Sequence, residues 1–239
     1  MDEKYFSVIV PVYNGGRFIE RALSSAFEQD AAGFGYEVIV INDGSTDNTS
    51  EVLSKYGDRI VLVERRQNRG LVYSVNEGIR AASGPYIIRL DADDEFAPDT
   101  LYLHREFLEG YGADFSFSDY VNINEWDRTS ERVSIRGNYL KMIAIGIAFK
   151  REIFDKAGMY DDMFWEEHNF MLKVLAAGFK GVYIPLPLIK YYHHDANMTL
   201  NAGNRLAGWQ ALLQKWDRER LASFGYDPEL QQLLQGKGE

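Results

Sequence analysis

Cysteine is absent from the 239-residue sequence, which excludes disulfides, thiolate metal sites and a cysteine nucleophile and fits a reducing compartment. Positive charge is scarce. Against 36 Asp and Glu stand 26 Lys and Arg, a formal net charge of -10. Phosphate backbones are held by clustered Lys and Arg, so nucleic acid is excluded as a partner. Long apolar runs are missing too: the longest, around Met142–Phe149, falls far short of the ~20 residues of a membrane span. Residues 1–6 carry two acids, Asp2 and Glu3, and run straight into a strand pattern, so no signal peptide is expected. The expected location is the cytoplasm, with peripheral contact at the inner face of the membrane left open. With 46% hydrophobic residues, the chain can bury an ordinary core. No repeat, low-complexity tract or clear linker breaks it.

The apolar pattern alternates between two periods. Phe6–Val12 is a β-branched run of the kind buried on both faces of a parallel sheet. Phe18, Ile19, Ala22, Leu23, Ala26 and Phe27 then fall on one helical stripe. Further strands are expected at Val38–Ile41, Ile60–Val63 and Tyr86–Leu90, with helices up to Tyr56, over Gly70–Ala82 and from Pro98-Asp99 onward. Short links between alternating strands and helices predict an α/β fold with a single, doubly wound, mostly parallel sheet flanked by helices.

Beyond Gly110 a strand over Ala113–Tyr120 is followed by a polar, loop-like stretch, Asn122–Asn138. Helices at Glu152–Ala157 and Glu166–Ala177 and strands at Gly181–Ile184 and Leu188–His193 come next. Arg205–Ser223 reads as one amphipathic helix with Leu206, Trp209, Leu213 and Trp216 in register, a packing or dimer face. The expected division is a domain over residues 1–200, with a nucleotide-binding half (1–110) and an acceptor half (111–200), and a helical extension over 201–239.

In such sheets ligands gather beyond the carboxyl ends of the strands. Tyr13-Asn14, Asp43 and Asp91-Ala92-Asp93-Asp94 all fall at such ends, so position alone puts them on one rim. Two carboxylates flanking a small residue repel each other unless a cation sits nearby. Hard oxygen ligands with open positions suit Mg²⁺ or Mn²⁺, which also accept phosphate oxygens. Such an ion would let an acidic protein hold a diphosphate. The plainer alternative is a solvated turn capping the helix at Pro98. Asp43 suits a ribose hydroxyl or base N–H equally well as it suits a cap of the turn that follows it.

Val8-Ile9-Val10-Pro11-Val12-Tyr13-Asn14, Val40-Ile41-Asn42-Asp43-Gly44-Ser45-Thr46-Asp47 and Asp91-Ala92-Asp93-Asp94 together resemble the signature blocks of glycosyltransferase family 2, inverting enzymes of GT-A fold. The resemblance implies that Pro11, Tyr13 and Asp43 line a nucleoside pocket and that the neighbouring Asn14 and Ala92 belong to the nucleotide side. It further implies that Asp91 sits near the ribose or metal, and that Asp93 ligates Mn²⁺ or Mg²⁺. Trp165-Glu166-Glu167-His168-Asn169 and Ala177-Gly178-Phe179-Lys180 are similar to the acceptor-side block. By that alignment Glu167 stands where the catalytic base is usually Asp, with Glu166 beside it. Tyr191–Thr199 is similar to the family's Tyr-Arg-x-His ending, which makes His194 a metal or diphosphate residue and puts Tyr192 in place of Arg. Val75 also stands where Arg often precedes Asn76, so a nucleotide contact is either lost there or supplied by Arg69 or Arg89.

The implied partners are a nucleotide-sugar donor, UDP-linked first, and a saccharide or lipid-linked acceptor. Without the family, Glu166 and Glu167 could simply favour a helix dipole, and His193 and His194 an exposed loop. Trp165, Trp126 and Tyr120 are candidate platforms for acceptor sugars. A dinucleotide oxidoreductase would need Gly-x-Gly-x-x-Gly after the first strand, and the chain has Tyr13-Asn14-Gly15-Gly16-Arg17 there. A nucleotidyltransferase would need a basic, glycine-rich loop for a triphosphate, which the N-terminal region lacks. A catalytically silent sugar-nucleotide-binding or scaffold protein is the alternative of a different kind.

Overall fold

The computed structural model describes residues 4–31, 33–136, 141–195, 197 and 202–223. Met198 and Thr199, which close the Tyr191–Thr199 motif, and residues 224–239 of the extension lie outside the described residues.

The first half follows the predicted alternation: β1 (Lys4–Val12), α1 (Ile19–Phe27), β2 (Gly35–Asn42), α2 (Thr49–Ser54), β3 (Val61–Glu64), α3 (Leu71–Ala81) and β4 (Tyr86–Arg89). β5 (Glu95–Phe96) and α4 (Thr100–Tyr111) complete it. β1 and β2 lie at the centre of the core, with Phe6, Val8, Ile9, Val10, Ile39, Val40 and Ile41 fully buried. β-branched and aromatic side chains suit a strand covered on both faces. α1 buries Ile19, Ala22, Leu23 and Ala26. Phe18 caps its start and stacks on His194 at 4.3 Å.

The sheet runs β3-β2-β1-β4-β8-β6-β9-β5, where β6 is Phe115–Asn124, β8 Ala148–Lys150 and β9 Gly181–His193. Most paired residues lie in parallel ladders (β1 with β2 and β4, β2 with β3, β6 with β9), while β8 lies antiparallel between β4 and β6. The β1–β4 ladder ends at the pair Ile9↔Arg89. Pro11, which has no N–H to give, therefore falls beyond it. The two strands part just where the polar clusters begin.

Three expectations change. Asn122–Asn138 is not a loop throughout: β6 continues to Asn124 and pairs antiparallel with β7 (Ser130–Val133). The two strands expected over 181–193 are one, β9, in which Pro185 and Pro187 are absorbed by register shifts between Ser118 and Tyr120 of β6. The amphipathic C-terminal helix is two, α7 (Ala202–Lys215) and α8 (Arg218–Ser223). Part of its apolar stripe packs within the chain: Trp209, Leu212 and Leu221 bury against Leu172 of α6 (Glu166–Ala176), and Leu206 stays exposed. Among the described residues no helix is long and apolar enough to cross a membrane.

Candidate functional site

Arg89, the last residue of β4, organises the rim. Its guanidinium is 5% exposed. It donates from Nε and Nη2 to the two carboxylate oxygens of Asp91, at 2.5 and 2.9 Å, and from Nη1 to Glu166 at 3.0 Å. Burial alone would lower its pKa, but the charges of Asp91 and Glu166 more than reverse that. A buried cation this well paired ties the end of β4 to the first turn of α6.

Each carboxylate oxygen of Asp91 accepts one bond from Arg89 and keeps a further lone pair. The Asp93 carboxylate faces a histidine instead. Its Oδ2 lies 2.9 Å from His194 Nε2, with the carboxylate 27% exposed and the imidazole 3%. That separation suits a divalent ion, since adjacent ligands of an octahedral site with ~2.1 Å bonds stand ~3.0 Å apart. A carboxylate oxygen and an imidazole nitrogen are both ordinary ligands of divalent ions. Among the described residues no three His, Asp or Glu side chains converge on one point; of the expected set Asp93, Asp91 and His194, Asp93 and His194 are in contact. Phosphate and water would have to complete it.

A second cation fixes this pair. Arg21 of α1 donates from Nη2 to the Asp93 carbonyl at 2.6 Å and from Nη1 to Glu125 at 2.9 Å, and its guanidinium lies 3.5 Å above the Tyr192 ring. Tyr192 in turn donates its hydroxyl to Glu95 and its N–H to Asp94. The cation that the family motif carries at position 192 is thus replaced by one that α1 lays over Tyr192. Asp94 is fully buried; burial, then the charges of Asp93 and Asp91, push its pKa well above the usual range.

Glu167, in the first turn of α6, has its pKa pushed well above that of an ordinary carboxyl, by burial first and by the charge of Glu166 second. Glu166 is held by Arg89, so the two acids differ in kind: one is paired, the other is desolvated. Trp165, just before them, sits in the left-handed region with φ 66.

On the nucleotide side Asp43 is 2% exposed. Its carboxylate accepts from Arg65 Nη1 at 2.9 Å, from the Arg69 N–H at 3.0 and 3.1 Å and from the Gly70 N–H at 2.8 Å. It rivets the end of β2 to the start of α3 and does not cap the turn that follows it. Arg69 lays its guanidinium on Tyr73 at 3.5 Å. Asn14 (φ 51) accepts from the Thr46 N–H at 2.7 Å, which locks the first rim loop to the second. Tyr13 is exposed, Pro11 buried and Ala92 half-buried. Of the candidate sugar platforms, Tyr120 is buried, Trp165 packs on Trp209, and Trp126 is 59% exposed.

The family model described as glycosyl transferase family 2 matches residues 7–167. The chain belongs to glycosyltransferase family 2. An uncharacterized glycosyltransferase of Rickettsia bellii is 36% identical over 151 residues, which is 63% of this chain and 20% of that relative; the chain thus spans about a fifth of its length. Two solved structures match its GT-A fold. TarS of S. aureus in complex with UDP-GlcNAc has a TM-score of 0.72 at 19% identity, over 98% of this chain and 71% of that one. The mannosyltransferase PcManGT from Pyrobaculum calidifontis, in complex with GDP-Man and Mn²⁺, has a TM-score of 0.73 at 18% identity, over 97% of this chain and 70% of that one.

For a family 2 domain, Arg21, Arg65 and Glu125 were the residues that sequence reading passed over. A lone arginine in a helix or link carries no local signal for a partner as distant as Asp93.

Proposed function

We propose that this chain is an inverting glycosyltransferase that moves a sugar from a nucleotide diphosphate, UDP-sugar first, to a hydroxyl of a saccharide or lipid-linked acceptor. The observation that carries it is the contrast within the acid pair. Arg89 holds Glu166 in an ion pair, and Glu167 beside it, desolvated and still facing the Glu166 charge, is left eager for a proton, as a general base must be. A base on the face opposite the leaving group inverts the anomeric centre. Glu167 takes the proton of the acceptor hydroxyl as its oxygen attacks; Arg89 keeps Glu166 and Asp91 from competing for it. Asp93 and His194 are the residues that would hold Mn²⁺ or Mg²⁺, which when bound neutralises the departing diphosphate. Arg21 fixes the Asp93 backbone, and Tyr13, Pro11 and the Asp43 rivet form the nucleoside side, with Asn14, Arg69 and Ala92 on its margin. The PcManGT complex with Mn²⁺ supports the choice of ion, and the TarS complex supports the choice of UDP.

The test is UDP or GDP release from a panel of nucleotide sugars (UDP-GlcNAc, UDP-Glc, UDP-Gal and GDP-Man) with Mn²⁺ or Mg²⁺. Release should require the ion and fall by roughly 10²-fold or more in Asp93→Ala, with circular dichroism unchanged. Release that survives both chelation and Asp93→Ala would falsify the assignment.

A further inference from the structure

α6 begins under strain. Trp165 adopts φ 66, a conformation that costs a non-glycine residue about 1–3 kcal/mol and persists only when its surroundings impose it. Those surroundings are α7. The Trp165 and Trp209 rings lie 5.3 Å apart, and His168 packs at 5.5 Å from the first and 5.2 Å from the second. Trp165 Nε1 donates to the Arg205 carbonyl at 3.1 Å. Gly208 lets α7 come this close: a Cβ there would meet Trp165 Cδ1 at 2.7 Å. At the other end of α7, Trp216 Nε1 donates to Asn169 Oδ1 at 3.0 Å, and Lys215 reaches Asp161, which also receives Asn169 Nδ2.

The contacts of Trp209, Arg205 and Trp216 fall on residues that flank Glu166 and Glu167: Trp165 before them, His168 and Asn169 after them; Lys215 reaches the same turn through Asp161, which holds Asn169. A helix that merely covered α6 would need neither a glycine under the indole nor a carbonyl on its nitrogen. We propose that α7 is a strut for the catalytic base, with Trp209 its positioning residue: by packing on Trp165 and His168 it holds the first turn of α6 so that Glu167 keeps one place. The inference rests on the reading of Glu167 as the base. Displacing a reacting group by about 1 Å costs on the order of 10²-fold in rate, so a loosened first turn is felt in turnover before it is felt in binding.

Full-length Trp209→Ala and Trp209→Phe are compared with the wild type. The readouts are amide hydrogen exchange, UDP affinity by calorimetry with Mn²⁺, and turnover of the best-hydrolysed donor of the panel above. In Trp209→Ala, exchange over residues 166–170 should quicken at least tenfold while residues 6–12 keep their protection. Turnover should fall at least tenfold with the UDP Kd within twofold, and Phe should restore most of both losses. Unchanged exchange over 166–170, a parallel loss of turnover and UDP affinity, or no rescue by Phe overturns the strut. Should Trp209→Ala fail to fold, Gly208→Ala, whose Cβ would press on Trp165 Cδ1 at 2.7 Å and on Phe164 at 3.0 Å, must show the same split. Full turnover in Glu167→Gln overturns the base reading instead, and the exchange comparison still decides whether α7 holds the turn.

Discussion

Arg89 and Glu167 owe their character to neighbours far away in sequence. Arg89→Met leaves the buried Glu166 and the half-buried Asp91 without their shared cation, and breaking a buried pair costs about 3–5 kcal/mol. A marked drop in melting temperature is expected; an unchanged melt would mean that water, not Arg89, satisfies the two acids. On the proposed reading Glu167→Gln removes the base without altering shape, so donor turnover should fall by roughly 10²-fold or more while UDP affinity stays. The pH dependence then has a fixed sign. A base acts only when ionised, and the Glu167 pKa is raised, so turnover should climb as pH rises through that raised value. Glu166→Gln removes one of the two causes and should move this acid limb to lower pH; a limb that stays where it was points to another base. Asp93 and Glu167 were legible as acids at a strand end and a helix start. Their modifiers were not. Nothing around Arg89 or Arg21 signals a carboxylate 77 residues away or a carbonyl 72 residues away, and the double engagement of Arg89, by Asp91 and Glu166, became visible only once β4 and α6 met.

Among the elements, the parallel half was readable because buried strands and helix stripes carry strong, different periods. The β6–β7 hairpin was not, since its solvent-facing residues around Glu125–Thr129 look like any polar loop. β9 was misread because Pro185 and Pro187 usually end a strand, whereas here the register of β6 slips to accommodate them. The packing of α3 on β1 makes a sharper test. Alanine normally gains about 1 kcal/mol over glycine inside a helix. At Gly78 an added Cβ would overlap Ile9 Cγ2 and crowd Ile41 Cδ1 at 3.2 Å, so Gly78→Ala should lose about 1–3 kcal/mol by overpacking. A gain in urea denaturation would show that α3 lies further from the sheet.

At the scale of the whole molecule, acid is the weak point. His104 on α4 and His168 on α6 are both buried and have their pKa values lowered by burial to about 3. Between the unfolded value of about 6.5 and that folded value, only the unfolded chain binds the proton, so each histidine removes about 1.4 kcal/mol of stability per pH unit as pH falls. His104 Nδ1 pairs with Ser116 Oγ at 2.7 Å. His104→Asn keeps a polar partner there but cannot titrate, so it should lose less stability than the wild type between pH 7 and 4.5. Equal losses would shift the blame to the carboxylates.

The reversal of chain direction between β4 and β8 has a consequence of its own. Beside β1 and β2 the chain leaves its strand at this rim; beside β4 it arrives, because β8 runs the other way, and Gly146, on its way in, gives its N–H to the Arg89 carbonyl at 3.1 Å. The end of β4 is thereby anchored from a segment that a parallel neighbour would not deliver. Exchanging residues on the outgoing loops leaves that backbone anchor in place.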